Sequence, residues 1–434
     1  RFVASDGRLS SAPAVVQVRI NGVPIADAGL PPVLTGPAPA GVVGAGPAGT
    51  AAATVLARAG RSVIVADKAE FPRDKCCGDG LTTLALRMLE RIDFDPGVVA
   101  SWQTVDSAWL RSPSGREVEL PLPRGRGQYA AVAARLQLDN ELVKHARAAG
   151  AEICEGVEFS HLTLNYSGRR RSATAHFSNG NTVTAEHVIA ADGMWSPVRK
   201  AMGLGDSGYL GEWHAFRQYA DNVTGPAAHR LYVWFEPDLL PGYAWSFPLS
   251  DGRVNIGFGI LRDGKRRVQD MKKDWADLLS RRHIVDALGP GFRLVDRHTA
   301  WPIPAGITDV VLSSGNVLFV GDAARATDAL TGEGIGQALE TGILAAEAIL
   351  GGGDVASKYE ASVRQHLFAD HRMSVALGKL LRSSIVTRGA IRAAAANGWT
   401  RTNFARWMFE DEPRAALFTP RRWHRRFLDR DGTY

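Results

Sequence analysis

The chain has 434 residues, of which 45% are apolar and 22% charged, and its formal net charge is +6. This composition excludes a disordered or fibrous protein and leaves room for two cores. No apolar stretch reaches the length of a membrane span, and the positive charge mildly favours an anionic surface without distinguishing nucleic acid from phospholipid. Three cysteines, two of them adjacent, make no disulfide framework, so we expect a reducing, cytoplasmic setting.

Residues 1–37 differ from the sequence that follows. Ala14 to Ile20 alternates as a strand and resembles the closing strands of a bacterial immunoglobulin- or cadherin-like repeat, followed by a linker rich in proline and glycine. The segment is either a surface-adhesion module or a fusion or gene-prediction artefact. We favour the artefact, because one and a half strands cannot form a sandwich. Since the chain begins at Arg1 without a methionine, we expect a trimmed N-terminus or a start inside a longer reading frame.

A dinucleotide-binding unit begins near residue 38. A short apolar strand ends in Gly44-Ala45-Gly46-Pro47-Ala48-Gly49, although Pro39 is unfavourable in a central strand. A helix over Thr50–Ala59, a C-cap at Gly60 and a strand over Arg61–Lys68 follow. Asp67 lies 21 residues after Gly46, where a carboxylate can bind an adenosine ribose while the glycines and the helix N-terminus hold a pyrophosphate.

The middle of the chain alternates between two kinds of pattern. Arg135 precedes a helix over Leu136–Ala149, Asn179 to Asn181 forms a hairpin turn, and an apolar run leads into Asp192-Gly193. From about residue 207 the composition changes to aromatic-rich β patterning, which indicates a substrate domain. From about residue 357 the chain is helical and rich in arginine.

The segment from Tyr243 to Ile260 predicts a hairpin. We place a two-residue turn at Asp251-Gly252, which would set Trp245 opposite Phe258, Phe247 opposite Ile256, and Ser246 and Ala244 opposite Gly257 and Gly259. One face would then be aromatic and the other almost bare of side chains, a slot for a long, thin substrate. The alternative is that the aromatic face is ordinary core and the glycines admit another backbone.

A second acidic site follows far along the chain. An apolar run ends in Gly321-Asp322, and the turn Thr331-Gly332-Glu333-Gly334 opens a helix at Ile335. Its backbone N–H groups would stabilise an anionic flavin ring. Two sites this far apart in the sequence indicate one extended cofactor, FAD, because NAD would need only the first site.

These motifs carry a family resemblance. The glycine fingerprint, Asp192-Gly193 and Gly321-Asp322 are similar to the FAD-binding set of para-hydroxybenzoate hydroxylase-type flavoproteins. The segment Arg73 to Leu81 (RDKCCGDGL) resembles the RxKxCGDGL segment of the geranylgeranyl (prenyl) reductase family. Tyr243 to Pro248 (YAWSFP), with Gly257 and Gly259 behind it, matches that family's YxWxFP motif and trailing GxG. The chain has Ala329 where the family usually has proline.

The resemblance implies an α/β fold, with a Rossmann-like FAD-binding domain, an inserted antiparallel β-sheet substrate domain and a C-terminal helical region. The expected FAD-binding parts are 38–101, 129–206 and 301–356; the substrate parts are 102–128 and 207–300, and the helical region is 357–434. The implied cofactor-binding residues are Gly44, Gly46, Pro47, Ala48, Gly49, Asp67, Lys68, Cys77, Gly78, Arg135, Val157, Asp192, Gly193, Gly321, Asp322, Gly332, Gly334 and Ile335. The implied catalytic residues are Cys77, Tyr243 and Trp245, and the implied substrate-binding residues are Tyr243, Trp245, Phe247, Gly257 and Gly259.

The resemblance further implies a reductase that saturates C=C bonds of an isoprenoid lipid or a menaquinone side chain. NAD(P)H or a protein electron carrier would supply electrons, because a second dinucleotide fingerprint is absent from the sequence. The alternatives are a monooxygenase or halogenase on the same scaffold, and a non-catalytic, degenerate flavoprotein. We expect no nucleic-acid partner and no metal site, and a basic C-terminal tail that contacts the inner face of the cell membrane.

Overall fold

A computed structural model describes residues 40–167, 170–262, 268–422 and 425–434. The predicted strand over Ala14–Ile20 and the whole linker that follows it lie outside these residues. The strands are β1 (Ala40–Val43), β2 (Val63–Ala66), β3 (Gly80–Leu81), β4 (Gln103–Thr104), β5 (Ser107–Arg111), β6 (Glu117–Pro121), β7 (Ala131–Val132), β8 (Glu152–Cys154), β9 (Phe159–Ser167), β10 (Arg170–Phe177), β11 (Thr182–Ala185), β12 (His187–Ala190), β13 (Trp213–Asp221), β14 (Leu231–Trp234), β15 (Tyr243–Pro248), β16 (Val254–Leu261), β17 (Arg293–Ile303), β18 (Ser313–Ser314) and β19 (Val317–Phe319). The α-helices are α1 (Pro47–Arg58), α2 (Thr83–Arg91), α3 (Arg135–Ala148), α4 (Pro197–Ala201), α5 (Met271–Ser280), α6 (Arg282–Leu288), α7 (Ile335–Leu350), α8 (Val355–Val363), α9 (Ala369–Leu380), α10 (Ser384–Ala394) and α11 (Gly398–Met408).

A six-stranded sheet in the order β18-β19-β12-β1-β2-β8 organises the first core. Strands β19, β12, β1, β2 and β8 run parallel, so their carboxyl ends meet at one edge, where the Gly44, Asp67, Asp192 and Gly321 loops begin. The four residues of β1 are all buried, which is typical of a central parallel strand. The strand β1 begins at Ala40, and Pro39 lies outside the described residues.

A seven-stranded sheet in the order β17-β13-β16-β15-β14-β5-β6 forms the second core. Its pairs are antiparallel except β14 with β5, which are parallel. The predicted α/β fold, with an FAD-binding sheet, an inserted mainly antiparallel sheet and C-terminal helices, is confirmed. Helices α5 and α6 cover one face of this sheet, where Trp275 packs with Phe258. Trp245 and Phe247 lie on the other face, in the cluster that contains residues of α10 and α11.

The predicted register of the β15–β16 hairpin is wrong by one residue. Trp245 pairs with Gly257 and Tyr243 with Gly259, because the loop is longer than a two-residue turn. The Leu249 amide bonds the Arg253 carbonyl, which leaves a three-residue loop that ends in Gly252 at φ 84°. A one-residue shift transfers every side chain to the other face. The bare face does not exist: the glycines lie on the aromatic face.

The two glycines of β16 differ in the space around them. A Cβ added to Gly257 would lie 2.4 Å from Cζ2 of Trp245, whereas one added to Gly259 would have no atom within 4 Å. We expect Gly257→Ala to lower the free energy of unfolding by about 1–3 kcal/mol through overpacking. Gly259→Ala is the matched control and should leave it nearly unchanged. Urea unfolding of both variants checks this, and equal losses would contradict the register.

Among the residues that the structure describes, we find no helix long and apolar enough to cross a bilayer.

Candidate active site

The glycine fingerprint forms a tight crossing between β1 and α1. Gly44 adopts φ 104°, and a Cβ there would lie 2.3 Å from the Ala191 carbonyl oxygen. A Cβ on Gly49 would lie 1.8 Å from the Gly44 carbonyl oxygen. Both positions therefore require glycine for the fold itself. The helix that follows has Pro47 in its first turn and no side-chain cap, so its N-terminal N–H groups remain available to an anion.

The space beside Gly46 fits a pyrophosphate. A Cβ on Gly46 would meet only the Arg73 guanidinium, at 3.6 Å. Arg73 Nη1 lies 3.1 Å from Asp139 Oδ2 and is buried without a hydrogen-bond partner. Arg135 forms a bidentate ion pair with the same carboxylate, at 2.6 and 2.8 Å. Asp139 thus holds two arginines beside an open glycine loop, and the unsatisfied guanidinium nitrogen favours a bound anion.

Asp67 lies at the carboxyl end of β2, as its predicted ribose contact requires. Its Oδ2 accepts the Ala45 amide at 2.7 Å, and its backbone carbonyl accepts the amide of Val157. Lys68 beside it is exposed. At the next loop, Asp192 Oδ2 accepts the Val198 amide while Oδ1 is buried without a partner. Burial raises the pKa of Asp192 to about 6.

The two motifs that are far apart in sequence are in contact. A Cβ on Gly321 would lie 3.2 Å from Ala48 Cβ, and one on Gly342 of α7 would lie 2.1 Å from the Ala48 carbonyl oxygen. Helices α1 and α7 therefore cross closely, and the Asp322 loop lies beside the glycine fingerprint. Arg199 holds that loop by donating to the Ala323 carbonyl at 2.8 Å. One cofactor can consequently touch both motifs.

Asp322 is partly exposed and faces a cation that the sequence analysis missed. Lys75 Nζ lies 3.6 Å from Asp322 Oδ2 and 4.4 Å from the centre of the Trp301 ring. Gly332, at φ 72°, donates its amide to the Asp328 carbonyl, and α7 begins after Gly334 without a side-chain cap. The uncapped N–H groups at Ile335 and its neighbours fit the anionic edge of a reduced flavin.

The Cys76-Cys77-Gly78-Asp79-Gly80 segment, here called the cysteine loop, is fastened to the seven-stranded sheet by a buried hydrogen-bond network. Asp79 Oδ2 accepts from Tyr219 Oη at 2.6 Å and from Asn255 Nδ2 at 2.8 Å. Asn255 also donates to the Cys77 carbonyl and accepts from Trp245 Nε1. Burial raises the pKa of Asp79 to about 6, against the opposing effect of these donors. The network fixes the indole of Trp245 relative to the cysteine loop.

The aromatic face of β15 packs directly on the cysteine loop. A Cβ on Gly78 would lie 3.5 Å from the rings of Trp245 and Phe247, and one on Gly80 would lie 3.1 Å from Phe247. Tyr243 is the next aromatic residue in this row, and its hydroxyl donates to the Thr331 carbonyl. Trp245, Phe247 and Tyr243 therefore form an apolar wall between the cysteine loop and the turn that begins α7.

Two carboxylates pair with one guanidinium behind that turn, and the carboxylate of Glu333 lies in the same electrostatic cluster. Arg414 lies 3.3 Å from Asp328 and 3.7 Å from Glu410. Glu333 faces the cysteine loop, since its Oε1 would lie 3.4 Å from a Cβ on Gly80. Burial, followed by the charges of Glu410 and Asp328, raises the pKa of Glu333 to about 8. Glu333 consequently carries a proton at neutral pH next to the apolar wall.

Cys77 lies near Arg135, yet burial raises the pKa of its thiol to about 11. We therefore expect it to act as a neutral side chain that shapes the site, and Cys77→Ser should retain FAD and lose less than about tenfold in turnover. In a Cys76→Ser, Cys154→Ser background, alkylation of Cys77 by iodoacetamide should accelerate steadily up to pH 10. Rapid, pH-independent alkylation at pH 7 would contradict this assignment.

The structure brings most of the predicted residues to one edge of the parallel sheet and to the wall facing it. The two predicted substrate-binding glycines differ in their surroundings. The Trp245 ring occupies the space beside Gly257, whereas the space beside Gly259 is open. Sequence analysis missed Arg73, Lys75, Asp79, Asn255 and Glu333 as participants. The first three lie inside the quoted RDKCCGDGL segment, so their polar character beside the glycines was a usable signal.

Residues 38–349 match a family described as FAD binding domain. The chain is 35% identical to the menaquinone reductase of Mycolicibacterium smegmatis over 356 residues, which is 77% of this chain and 80% of that protein. It is 28% identical to the digeranylgeranylglycerophospholipid reductase of Methanosarcina mazei over 303 residues, 68% of this chain and 71% of that protein. A geranylgeranyl bacteriochlorophyll reductase-like structure from Thermoplasma acidophilum has a TM-score of 0.74 and 22% identity, covering 88% of this chain and 98% of that one.

The fold, the site and these matches define an FAD-binding flavoprotein. Within that class, the chain belongs to the geranylgeranyl reductase family and is an FAD-dependent oxidoreductase of that kind. The resemblance drawn from the motifs and the assignment as an enzyme are confirmed, and the non-catalytic alternative is excluded.

Proposed function

We propose that the protein saturates C=C bonds in a menaquinone side chain or a similar isoprenoid. The observation that carries this proposal is the apolar wall of Trp245, Phe247 and Tyr243, which packs on the cysteine loop beside the FAD-binding motifs. An isoprenoid has no polar group along its length, so a site for it must bind through apolar contact. The similarity to a menaquinone reductase supports the choice of substrate class.

The open space beside Gly259 is the part of the wall that a prenyl chain would occupy. Gly259 pairs with Tyr243 on the aromatic face and has no neighbour within 4 Å of an added Cβ. The Tyr243 hydroxyl is engaged with the Thr331 carbonyl, which leaves the edge of its ring for apolar contact. This arrangement replaces the slot that was predicted along a bare face of the hairpin.

Bound FAD, once reduced, supplies the hydride for one alkene carbon. The protein orients the double bond, excludes water and provides the proton for the other carbon. Glu333 is the better proton donor, because its pKa is near 8 and that of Cys77 is near 11. Burial, followed by the charges of Glu410 and Asp328, raises the pKa of Glu333 and so keeps its proton in place at neutral pH.

The electrons would come from NAD(P)H that docks transiently or from a protein electron carrier. A separate nicotinamide domain would require a second glycine fingerprint. The sequence carries a single fingerprint, which is the one that begins at Gly44. Lys75 is a half-buried cation on the Asp322 side of the site, where a phosphate-bearing donor would meet positive charge.

The test is anaerobic turnover of menaquinone by the FAD-loaded enzyme reduced with dithionite. We expect reoxidation of the flavin together with a mass increase of the quinone by about two hydrogens for each bond saturated. Oxygen-dependent consumption of reduced flavin, with hydroxylation or halogenation of an added aromatic compound and no change in the quinone side chain, would support the monooxygenase or halogenase alternative and contradict this proposal.

A further inference from the structure

The C-terminal helices contain a long stretch without negative charge. Between residues 371 and 409 the sequence has seven lysines and arginines and no aspartate or glutamate, although the whole chain has a net charge of only +6. Lys379, Arg388 and Arg392 are exposed and make no ion pair within the described part of the chain. This region therefore carries a local excess of positive charge.

The same stretch exposes aliphatic side chains. The exposed fraction is 56% for Leu380, 72% for Ile385 and 40% for Val386. Water-exposed aliphatic residues on their own are common, but three of them within seven residues and among cations form a patch. We call Lys379, Leu380, Ile385, Val386, Arg388 and Arg392 the basic-aliphatic patch.

Helix α10 connects this patch to the proposed substrate wall. Its inner face buries Thr387, Ile391 and Ala394, and the last two belong to the cluster that contains Trp245 and Phe247. Ile385, Arg388 and Arg392 are spaced on the opposite, outward face. One side of this helix thus belongs to the same hydrophobic cluster as the aromatic wall, and the other side presents cations and an aliphatic residue.

The patch also lies close to the turn that begins α7. Val375 of α9 packs against Trp213 and Ala329, and a Cβ on Gly378 would lie 3.9 Å from the Ala329 carbonyl oxygen. Leu380 is two residues farther along the same helix. Helix α9 therefore extends from its contact with Ala329, in the loop before α7, to Leu380 in the exposed patch.

We propose that the basic-aliphatic patch docks on a bilayer that contains anionic phospholipids. Cations attract the headgroups, while Leu380, Ile385 and Val386 enter the boundary between headgroups and acyl chains. A second copy of the chain would repel this patch, because both surfaces would carry the same unbalanced charge. Nucleic acid would satisfy the cations but gives aliphatic side chains no apolar environment. If the proposed function holds, docking here places the site over the phase in which an isoprenoid dissolves.

The experiment measures vesicle binding by the FAD-loaded full chain, independently of turnover. We expect flotation with vesicles of phosphatidylcholine and phosphatidylglycerol at low salt, weak binding to pure phosphatidylcholine, and release at high salt. A triple variant that removes the three cations should bind these vesicles roughly a hundredfold more weakly, about fivefold for each charge. It carries Lys379→Gln, Arg388→Gln and Arg392→Gln. A second variant, the serine triple, should also abolish flotation. It carries Leu380→Ser, Ile385→Ser and Val386→Ser.

One control variant and one test of folding identify the patch as the cause of binding. Lys272→Gln with Lys273→Gln and Arg282→Gln removes three exposed cations from α5 and α6 and should retain binding. Unchanged flavin absorbance in every variant shows that the fold persists. Equal loss in the control triple, or no preference for anionic vesicles in the wild type, overturns the proposal. So does binding to a DNA fragment that the serine triple leaves intact, or a dimer that the serine triple dissociates. Because no substrate is added, failure of menaquinone turnover leaves this result unaffected.

Discussion

Gly46→Val should yield a folded protein that does not retain FAD. The backbone at Gly46 is extended, with φ −73° and ψ −176°, a conformation that valine readily adopts. An added Cβ would touch only the Arg73 guanidinium in the protein itself. The branched side chain would instead occupy the space in which backbone and Arg73 approach the pyrophosphate. We expect FAD affinity to fall on the order of a hundredfold, equivalent to about 2.7 kcal/mol.

The measurement is FAD titration of the apoprotein by isothermal calorimetry, with the free energy of unfolding measured in parallel. Gly389→Val is the matched control, because Gly389 lies on the exposed face of α10 with open space around it. That variant should bind FAD normally. Gly49→Val would be uninformative, since its Cβ would clash with the Gly44 carbonyl and disrupt the fold. Normal FAD affinity in Gly46→Val would mean that the pyrophosphate lies elsewhere.

The glycine fingerprint and the β15–β16 hairpin differ in how much of their structure can be predicted from the sequence. The fingerprint, Asp67 and the two acidic loops were predictable because each follows a buried parallel strand, and parallel strands bring their carboxyl ends together. The hairpin register was not, because Asp-Gly fits both a two-residue turn and the last two positions of a three-residue loop. The choice depends on tertiary packing of Trp245 over Gly257.

Glu333 shows a different limit. Its position in the turn was evident from the sequence, but its protonation depends on neighbours that are distant in the chain. Glu410 lies 77 residues away and is held by Thr82 and Gln337, while Arg414 lies between Asp328 and Glu410. Pattern alone cannot bring Asp328, Glu410 and their shared guanidinium close to Glu333. The proposed proton donor could therefore be identified only from the fold.

Glu333→Gln should slow alkene reduction by roughly a hundredfold at pH 7, because it removes the proton donor while preserving shape. In the wild type the rate should fall as the pH rises through about 8, where Glu333 loses its proton. The residual rate of the variant should lack this alkaline limb. Reduction of the flavin by dithionite needs no proton from Glu333 and should be unchanged, which separates this effect from loss of FAD. A variant with wild-type turnover and the same alkaline limb would contradict the assignment.

Glu410→Gln supplies the matched test, because the charge of Glu410 raises the pKa of Glu333 without facing the wall. Removing that charge should shift the alkaline limb of turnover to lower pH.

The pH dependence of stability gives a second measurement of the pKa of Glu333. The folded pKa of Glu333 exceeds its ordinary value of 4.5, so the folded chain retains a proton that the unfolded chain loses between about pH 4.5 and 8. Its contribution to the free energy of unfolding therefore decreases as pH rises through that window, and Glu333→Gln should flatten this decrease. A limb that moves in Glu410→Gln and disappears in Glu333→Gln assigns the proton to Glu333, because a purely structural role would change the rate without displacing its pH dependence.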